Sequence, residues 1–556
     1  MDKTMTRPSV QTVSLLFLAI AILAGVADVW MIVGWREIDP QNLSWQHGDP
    51  VQYQAGWEFL RRSGIWHLPP TWVSALDYPA GVSASYLDIV PIVAVPLSLA
   101  SPILPTNFQY LGFYAVLSFI LQAYFGFTLA WRFSRRDIVA ALIGGSFFLL
   151  SPVLTKELYG HFALLSQWMV LAAINFYFQV TPNEPIRRVM CRLILLAAIA
   201  CAVQPYIAFM VDVLALAAIA RARYVGNEKS WSGTIAWTSI LAGANILSLI
   251  AFGFIVPGKS QFVGSGYTHY SMNLLAPINP QSPRALLLPS YSVVHGWTLA
   301  GYDYLGIGII LLLCVVLLRR PNLLGSLWAP ALRPLLIVSI GLTLIALGVE
   351  VCLGDHVLFT IPVPGLVFDL LAAFRGCGRL FWPVYYLFYV AAIAGVCATI
   401  QFRWARLTLL AFALIVQYFD VLPIPADISR AAKRTYPAHL VSSVWRSLPA
   451  RYQHLVILPA FQCGGGTPAR LDVWPEFAHL AAKGGMTLNS VYVSRVSRQM
   501  RLDDCVRAPA ALMHDGVRAD TAYVLSDAVA AVMRQNPNFA GDCRRVDGFN
   551  LCTRFP

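Results

Sequence analysis

Residues 35–91 read WREIDPQNLSWQHGDPVQYQAGWEFLRRSGIWHLPPTWVSALDYPAGVSASYLDIVP, a polar and aromatic-rich segment that lies between apolar runs. A connection of this length is usually either functional or disordered. Its tryptophans argue against disorder, because their large amphipathic rings pack well and favour the headgroup level of a membrane. We therefore expect the functional site to include this segment. The tryptophans in question are Trp35, Trp45, Trp57, Trp66 and Trp72, with Trp168 beside a second polar connection.

The composition is that of a polytopic membrane protein. Of 556 residues, 57% are hydrophobic and 12% are charged. Apolar runs recur at close to the roughly 20 residues that a bilayer-spanning helix needs. The first run, residues 13–33, follows Lys3 and Arg7 and so resembles a signal peptide. It is long enough to span and no small-residue cleavage site follows it, so we expect it to be the first helix.

The apolar runs predict an α-helical protein with about 11 transmembrane helices. Their approximate positions are 11–34, 107–131, 138–153, 162–180, 190–204, 206–220, 232–256, 304–318, 334–350, 380–400 and 406–420. One further apolar run, residues 89–104, contains Pro91, Pro96 and Pro102, which interrupt a helix. We expect this run to be an interfacial or re-entrant part of one large outer loop, residues 35–104.

The net charge of +12 would suggest nucleic acid in a soluble protein, but here the basic residues follow the membrane pattern. They concentrate in alternate connections between the runs. By the positive-inside rule those connections and the N-terminus are cytoplasmic, and an odd number of spans places residues 421–556 outside. The basic residues are Lys3, Arg7, Arg132, Arg135, Arg136, Arg187, Arg188, Arg192, Arg221, Arg223, Lys229, Arg319, Arg320, Arg333, Arg403 and Arg406.

The C-terminal residues 421–556 have a soluble composition and predict a small α/β domain after a transmembrane domain of residues 1–420. Strand-like runs lie at 454–458, 490–493 and 522–525. Four cysteines in an exported domain favour disulfides, with three connectivities open and a metal site as the rival interpretation. We favour Cys543 with Cys552, because Asp547-Gly548 between them is a hairpin signal. That choice leaves Cys463 with Cys505.

Acidic residues on the predicted outer face are candidates for a general base, which takes a proton from an attacking hydroxyl. Asp49 is the first choice, because Gly48-Asp49-Pro50 is a turn with little competing structural role. Asp39 and Asp88 come next. For each of these carboxylates taken alone, a solvated side chain or a helix cap is the simpler alternative. The further outer carboxylates are Glu37, Glu58, Asp77, Glu157 and Asp303.

Few basic residues fall on this face, so their positions are informative. Arg375 and Arg379 flank two glycines in FRGCGRLFWP, where guanidinium groups can bind a phosphate bidentately. The alternative is snorkelling to lipid headgroups. Lys156 and His161 in SPVLTKELYGH form a second polar cluster that would bind the same phosphate or a sugar, or would only cap a helix. Residues assigned to substrate binding are Trp57, Tyr53, Glu157, Tyr302 and Asp303.

The sequence requires no cofactor. It contains no H-x-x-H or H-E-x-x-H motif, so we assign no metal ligands, although a divalent metal remains compatible with the chain. Gly464-Gly465-Gly466 lacks the Lys-Ser/Thr that follows in a phosphate-binding loop, and we expect a flexible loop there.

Several stretches together resemble the GT-C superfamily of integral membrane glycosyltransferases, and most closely a bacterial GT-C-like family of unknown function. The resemblance covers residues 48 to about 390, and the tail resembles no family. The matching stretches are GDPVQYQAGWEFLR, YPAGVSASYLDIVPIVAVPLSL, FQYLGFYAVLSFILQ, SPVL with GHFALLSQW, YSMNLLAPINP, GYDYLGIG and FRGCGRLFWPVYY.

The resemblance implies a glycosyltransferase of the bacterial inner membrane with its C-terminal domain in the periplasm. It implies transfer of a hexose or pentose from a polyprenyl-phosphate donor to a cell-envelope glycan or lipid. The first-loop base would be Asp49 or Asp39, and Arg375 and Arg379 would hold the donor phosphate. A transporter or flippase of lipid-linked saccharides is the alternative, but it would need more ionisable residues within the spans than Asp28, Asp212 and Glu350. A non-catalytic assembly factor is a third interpretation.

Overall fold

The protein is described from a computed structural model. It covers residues 9–64, 66–225, 228, 230–256, 267–282, 287–294, 301–320, 325, 328–464, 470, 473–537, 539 and 541–554. Lys3, Arg7 and Lys229 of the predicted cytoplasmic connections, and Gly465 and Gly466 of the predicted glycine loop, lie outside these residues.

The chain divides into two compact units, each assembled from separate stretches of sequence. The membrane unit consists of Met1–Pro40, Tyr110–Asn245 and Gly264–Arg434. The loop-and-tail unit consists of Gln41–Gln109, Ile246–Val263 and Thr435–Pro556. The division of the sequence near residue 420 stays a prediction about domains. In space, most of the first loop belongs to the same unit as the tail.

Within the described residues, eight helices are long and apolar enough to cross a membrane, which confirms a polytopic helical membrane protein. Three more predicted runs form shorter helices, Ile186–Cys201, Ile307–Arg319 and Arg333–Ala346. The total of about 11 spans therefore stays a prediction. The eight candidate spans are Val10–Val33, Leu111–Phe133, Ile138–Glu157, Phe162–Gln179, Pro205–Val225, Trp231–Ala251, Cys377–Thr399 and Arg403–Val421.

Glycines allow the membrane helices to approach closely. A Cβ atom on Gly25 would lie 2.5 Å from the backbone nitrogen of Ile120, and one on Gly126 would lie 2.9 Å from the carbonyl oxygen of Gly145. Side chains at these positions would force the helices apart, so small residues set the helix spacing here. The remaining helices of this unit are Trp35–Ile38, Gly365–Leu371 and Pro423–Ala432.

Nine strands occur in the described residues, and most of them lie in the loop-and-tail unit. They are, in chain order, β1 Trp72–Val73, β2 Val82–Ser83, β3 Glu350–Leu353, β4 His356–Thr360, β5 His454–Leu458, β6 Thr487–Leu488, β7 Thr521–Leu525, β8 Gly541–Val546 and β9 Phe549–Arg554. The helices of this unit are Pro50–Ser63, Pro91–Leu99, Ser443–Ser447, Trp474–Gly484, Arg498–Leu502, Ala508–Asp515 and Asp527–Arg534.

The tail is the expected α/β domain. Its sheet has the order β6-β5-β7-β9-β8, with β5 parallel to β6 and β7 and the β8–β9 hairpin antiparallel. The strands predicted at 454–458 and 522–525 are confirmed. The strand predicted at 490–493 is wrong, because the edge strand ends at Leu488. There the side chains of Asn489 and Ser490 bond to backbone amides of neighbouring segments instead of continuing the ladder.

The first loop extends the tail sheet at its β6 edge. The backbone N–H of Leu488 donates to the carbonyl of Ala75 at 2.8 Å, and that of Tyr78 donates to the carbonyl of Leu488 at 3.1 Å. A sheet edge offers unpaired backbone groups, and here the loop satisfies some of them. The proline-rich run 89–104 contains only the short helix Pro91–Leu99, which is less than half the length of a bilayer-spanning helix.

Two disulfides stabilise the tail, and both expected pairings are confirmed. Cys543 and Cys552 face each other across the β8–β9 hairpin, whose turn is Asp547-Gly548. Cys463 and Cys505 join segments that are 42 positions apart in the sequence. These bonds indicate an oxidising compartment.

Candidate functional site

Six of the predicted site residues lie together in the membrane unit. They come from three separate segments of the chain, and most of them are buried. We name them the buried charge cluster, which consists of Lys156, Glu157, His161, Tyr302, Asp303 and Arg379.

Glu157 is the centre of this cluster and is 1% exposed. The short helix Pro152–Glu157 ends at this residue, and the backbone N–H of His161 donates to its carbonyl oxygen at 2.9 Å. This tight turn brings the His161 imidazole back toward the carboxylate, with Nδ1 at 3.2 Å from Oε2. The predicted polar cluster around Lys156 and His161 therefore gains Glu157 as its partner.

Arg379 reaches the same carboxylate from another segment. Its NH2 atom lies 3.8 Å from Glu157 Oε2. The segment that carries Arg379 is held by two hydrogen bonds: Gly376 N–H donates to the Tyr206 hydroxyl at 2.7 Å, and Gly378 N–H donates to the Tyr270 carbonyl at 3.1 Å. Within the described chain the Nε of Arg379 has no hydrogen-bond partner, so this buried guanidinium keeps an unused donor.

Asp303 is fully buried, and neither of its carboxyl oxygens has a hydrogen-bond partner among the described residues. Burial raises the pKa of Asp303 well above its usual range, and the negative charge of Glu157 raises it further. Arg379 and Lys156 act in the opposite direction. A raised pKa favours the protonated form, in which Asp303 can donate a hydrogen bond.

Lys156 lies over the aromatic ring of Tyr302, another residue of the cluster. Its ammonium nitrogen lies 3.6 Å from the ring centre of Tyr302, a cation–π distance. Tyr302 is itself 2% exposed. Lys156 and Arg379 thus lie next to the carboxyl groups of Glu157 and Asp303. The two cations can bind the oxygens of a phosphate, and a carboxyl group can take up or release a proton.

A network of buried tyrosines fixes the segment that presents Asp303. The Tyr385 hydroxyl donates to the carbonyl of Tyr304 at 3.1 Å, and the Tyr389 hydroxyl donates to the carbonyl of Leu305 at 2.8 Å. Both donors belong to the helix Trp382–Thr399, which lies in the same span as Arg379. The position of Asp303 is therefore tied to the helix that follows Arg379.

Arg375 differs from Arg379 although both were predicted to bind the donor phosphate. Its side chain is exposed and donates to the Tyr270 hydroxyl at 2.8 Å, while the guanidinium lies 4.8 Å from the centre of that ring. Sequence reasoning missed Tyr270 and Tyr206, which position the arginine segment. The only signal for Tyr206 was its place in a short proline turn between two spans.

The predicted catalytic acids occupy other positions. Asp39 is in the membrane unit, where its backbone N–H closes the helix Trp35–Ile38. Asp49 and Asp88 are in the loop-and-tail unit: Asp49 precedes the helix Pro50–Ser63 and accepts a hydrogen bond from the Tyr492 hydroxyl, and Asp88 has a left-handed backbone with φ of 57°. Their roles stay predictions.

Trp57 and Tyr53 lie in the core of the loop-and-tail unit. Trp57 is 0% exposed, and its indole N–H donates to the carbonyl of Phe108 at 2.9 Å. Tyr53 is 2% exposed. Neither ring is presented to a ligand here, because neighbouring residues already cover both. Of the loop tryptophans, Trp66 is exposed and Trp72 lines a cavity.

No metal site is formed by the part of the chain that is described. In those residues, no group of three or more His, Cys, Asp and Glu side chains is placed to hold an ion.

A sequence model of the family described as "Domain of unknown function (DUF6311)" matches residues 22–422. The chain belongs to the DUF6311 family. A second model, described as "DUF6311 C-terminal domain", matches residues 444–554. The two DUF6311 matches thus cover the spans with the buried charge cluster, and the tail sheet. No curated protein matches the chain.

Some solved structures are similar to the chain at a low level, and three of them are of the oligosaccharyltransferase of Archaeoglobus fulgidus. The alignment with the apo form has a TM-score of 0.43 at 11% identity, and it covers 96% of this chain and 69% of the oligosaccharyltransferase chain. The complex with Zn and sulfate has a TM-score of 0.40 at 11% identity, covering 94% and 67%. The third, AglB with an inhibitory peptide and a dolichol-phosphate, has a TM-score of 0.40 at 12% identity, covering 95% and 69%. Likenesses of this degree carry no argument about this chain.

Proposed function

We propose that the chain is a GT-C-type glycosyltransferase of the bacterial inner membrane. It moves a hexose or pentose from a polyprenyl-phosphate donor to a glycan or lipid acceptor of the cell envelope, on the periplasmic side. The observation that carries this proposal is the buried charge cluster, in which a guanidinium with an unused donor and a fully buried carboxyl group lie among membrane helices. The sequence resemblance to GT-C proteins supports it.

The cluster is suited to the leaving group of the reaction. Arg379 binds the phosphate oxygens through its free Nε–H and the neighbouring guanidinium N–H groups, and Lys156 adds a second positive charge. Asp303, whose pKa is raised by burial, donates a hydrogen bond to another phosphate oxygen in its protonated form. Because the site is buried, these interactions are stronger than they would be in water.

The transfer is a direct displacement at the anomeric carbon, which inverts its configuration. The acceptor oxygen forms a bond to that carbon while the bond from the carbon to the phosphate oxygen breaks. The electron pair of the broken bond stays on the polyprenyl phosphate, where Arg379 and Lys156 compensate the charge. The acceptor proton passes to a carboxylate, for which Asp49 is the first candidate and Asp39 and Asp88 are the others.

A transfer assay tests the proposal. Membranes that contain the protein are supplied with polyprenyl-phosphate donors carrying a radiolabelled sugar, and the label is followed into envelope glycans and lipids. Wild type should transfer label, and the single variants Asp49→Asn, Asp39→Asn and Asp88→Asn identify the base by loss of transfer. Full activity in all three would remove the first-loop base from the mechanism. Donor that crosses the membrane of sealed vesicles without any transferred label would instead indicate a flippase.

A further inference from the structure

The loop-and-tail unit contains a cavity of about 910 Å³ that the proposed transfer site does not use. This volume is within the usual range for small-molecule sites. Part of its lining is apolar, formed by Val82, Val256, Leu502 and the ring of Trp72. Gly81 packs against that ring, since a Cβ there would lie 2.7 Å from a ring carbon of Trp72. Such a lining can accept a hydrocarbon chain.

Positive charge is concentrated in the same cavity. Arg495, Arg498 and Arg501 all line it. Arg498 and Arg501 are exposed, and neither side chain forms a salt bridge or hydrogen bond within the residues that the structure describes. Arg507, a few positions further on, is by contrast paired with Asp503 at 2.7 Å. Among the described residues, the guanidinium groups of Arg498 and Arg501 thus have no carboxylate partner.

Among the described residues that line the cavity, one is acidic, Asp77, and it is hydrogen-bonded to Gln462. Gln462 Nε2 donates to Asp77 Oδ1 at 3.4 Å and to Asp504 Oδ2 at 2.7 Å, and the two carboxyl groups are also hydrogen-bonded to each other. Burial raises the pKa of Asp504 to about 6. The Asp77 carboxyl group is thus hydrogen-bonded to both Gln462 and Asp504.

The cavity is near the end of a membrane span. Val256 lies five positions after Ala251, the last residue of the span Trp231–Ala251, and five residues of chain reach at most about 18 Å. The chain between them turns back on the helix, because the backbone N–H groups of Phe254 and Ile255 both donate to the carbonyl of Leu249. Val256 therefore stays close to the end of this candidate span.

The first loop holds this segment in place. The Tyr86 hydroxyl donates to the Phe254 carbonyl at 2.6 Å, and the hydroxyl of Ser85 donates to the Phe252 carbonyl at 2.5 Å. Gly253 has φ of 70° and leaves no room for a side chain, because a Cβ would meet the hydroxyl of Thr71. The wall of the cavity that comes from the span end is thus fixed to the wall that comes from the loop.

We propose that this cavity binds a lipid phosphate at the membrane surface, with the phosphate on Arg498 and Arg501 and the first part of the hydrocarbon chain against Val256 and Trp72. The chemical class is a phosphate joined to an isoprenoid or acyl chain. This binding does not depend on the proposed sugar transfer, and it would hold for a transporter or an assembly factor as well.

Photo-crosslinking tests the proposal on the full-length protein in phosphatidylcholine nanodiscs. The probe is a farnesyl phosphate analogue with a photoreactive group near the phosphate end of its chain, and crosslinked peptides are identified by mass spectrometry. Crosslinks are expected on residues 72–86, 252–256 or 495–506. The double variant Arg498→Ala/Arg501→Ala loses two charge-assisted bonds to the phosphate. Its crosslinking should therefore fall at least about tenfold. The charge-preserving Arg498→Lys/Arg501→Lys should retain most of it, and Arg507→Ala all of it.

Competitors separate the two parts of the ligand. Farnesyl phosphate should displace the probe, whereas farnesol and inorganic phosphate at the same concentration should not. Displacement by phosphatidylglycerol would show that phospholipids share the cavity, and its failure would restrict the ligand to isoprenoid phosphates. Equal displacement by farnesol, equal displacement by inorganic phosphate, or unchanged crosslinking in the double alanine variant would overturn the proposal.

Discussion

Arg375 and Arg379 lie on one short segment but meet different surroundings. Arg375 is exposed and lies against Tyr270, while Arg379 is 9% exposed and faces Glu157. A charge on the surface is screened by water and salt, whereas a buried one interacts strongly with its neighbours. Of the two residues, Arg379 is therefore the one on which a phosphate should depend.

Replacing Arg379 by alanine should lower sugar transfer at least about 100-fold, because a buried donor to the leaving phosphate is lost. Arg379→Lys keeps the charge but loses bidentate geometry, so it should fall between wild type and alanine. Arg375→Ala is the matched control and should cost less than about tenfold. Initial rates with the radiolabelled donor measure all three, and equal losses at both positions would contradict the distinction.

Asp303 should make the protein less stable as pH rises. Its folded pKa is raised above the ordinary value of 3.8, so the stabilisation is full below that value and is lost as the pH rises through the folded pKa. Asp303→Asn removes this titration and keeps a similar shape. As the pH is raised from the ordinary pKa of 3.8, the thermal unfolding temperature in detergent should therefore fall more steeply for wild type than for Asp303→Asn. Parallel curves would show that Asp303 does not carry the proton.

In the loop-and-tail unit, a pair of side chains links two helices. Glu58, 4% exposed on the helix Pro50–Ser63, accepts from Gln54 at 3.0 Å and lies 2.8 Å from Nδ1 of His479 on the helix Trp474–Gly484. A buried carboxylate is costly unless it is paired and hydrogen-bonded. The pair therefore links a first-loop helix to a tail helix.

A double-mutant cycle measures this link. Glu58→Gln and His479→Gln should each destabilise the protein, and the double variant should lose less than their sum, with a coupling of about 0.5–3 kcal/mol. His514, which is exposed and pairs with Asp515, supplies the control. His514→Gln combined with Glu58→Gln should be additive. Unfolding curves report the free energies, and full additivity for Glu58 with His479 would show that the contact is not formed in solution.

For the molecule as a whole, the two disulfides should contribute unequally to the free energy of unfolding. A disulfide stabilises by restricting the unfolded chain, and the effect grows with the length of the closed loop. Cys463–Cys505 closes a separation of 42 positions and Cys543–Cys552 one of 9. On the chain-entropy relation these correspond to about 4 and about 2.6 kcal/mol.

Cys463→Ser/Cys505→Ser should therefore lower the free energy of unfolding of the tail more than Cys543→Ser/Cys552→Ser does. Hydrogen exchange of tail peptides in the full chain measures both variants against wild type. Cys191→Ser, a change of an exposed free cysteine, is the control and should have no effect. A larger loss from the hairpin disulfide would contradict the entropic account.

Topology is the other prediction for the whole chain. An odd number of spans with a cytoplasmic N-terminus places the tail outside, in agreement with its disulfides. Alkaline phosphatase fused after Pro556 should be active in cells, and green fluorescent protein at the same place should be dark. A fusion after Arg403, in a predicted cytoplasmic connection, should give the reverse pattern. The reverse result for both fusion positions would contradict the proposed membrane orientation.

The sequence by itself determined the membrane class, the α/β tail, the hairpin disulfide and the polar segments around Lys156, Asp303 and Arg379. These features depend on local properties: apolar runs, turn residues and short-range cysteine spacing. The sequence also predicted a strand at 490–493 that does not form, and about 11 spans where eight helices of the described chain have spanning length.

Only the tertiary structure decided which of these residues meet. Glu157, Asp303 and Arg379 are far apart in sequence, and no periodicity indicates that they share one buried site. The same holds for the first loop, which joins the tail sheet through the backbone of Ala75 and Tyr78. Contacts between distant segments depend on how whole elements pack, whereas helix, turn and hairpin signals depend on neighbouring residues, and only the neighbouring residues can be read directly from the chain.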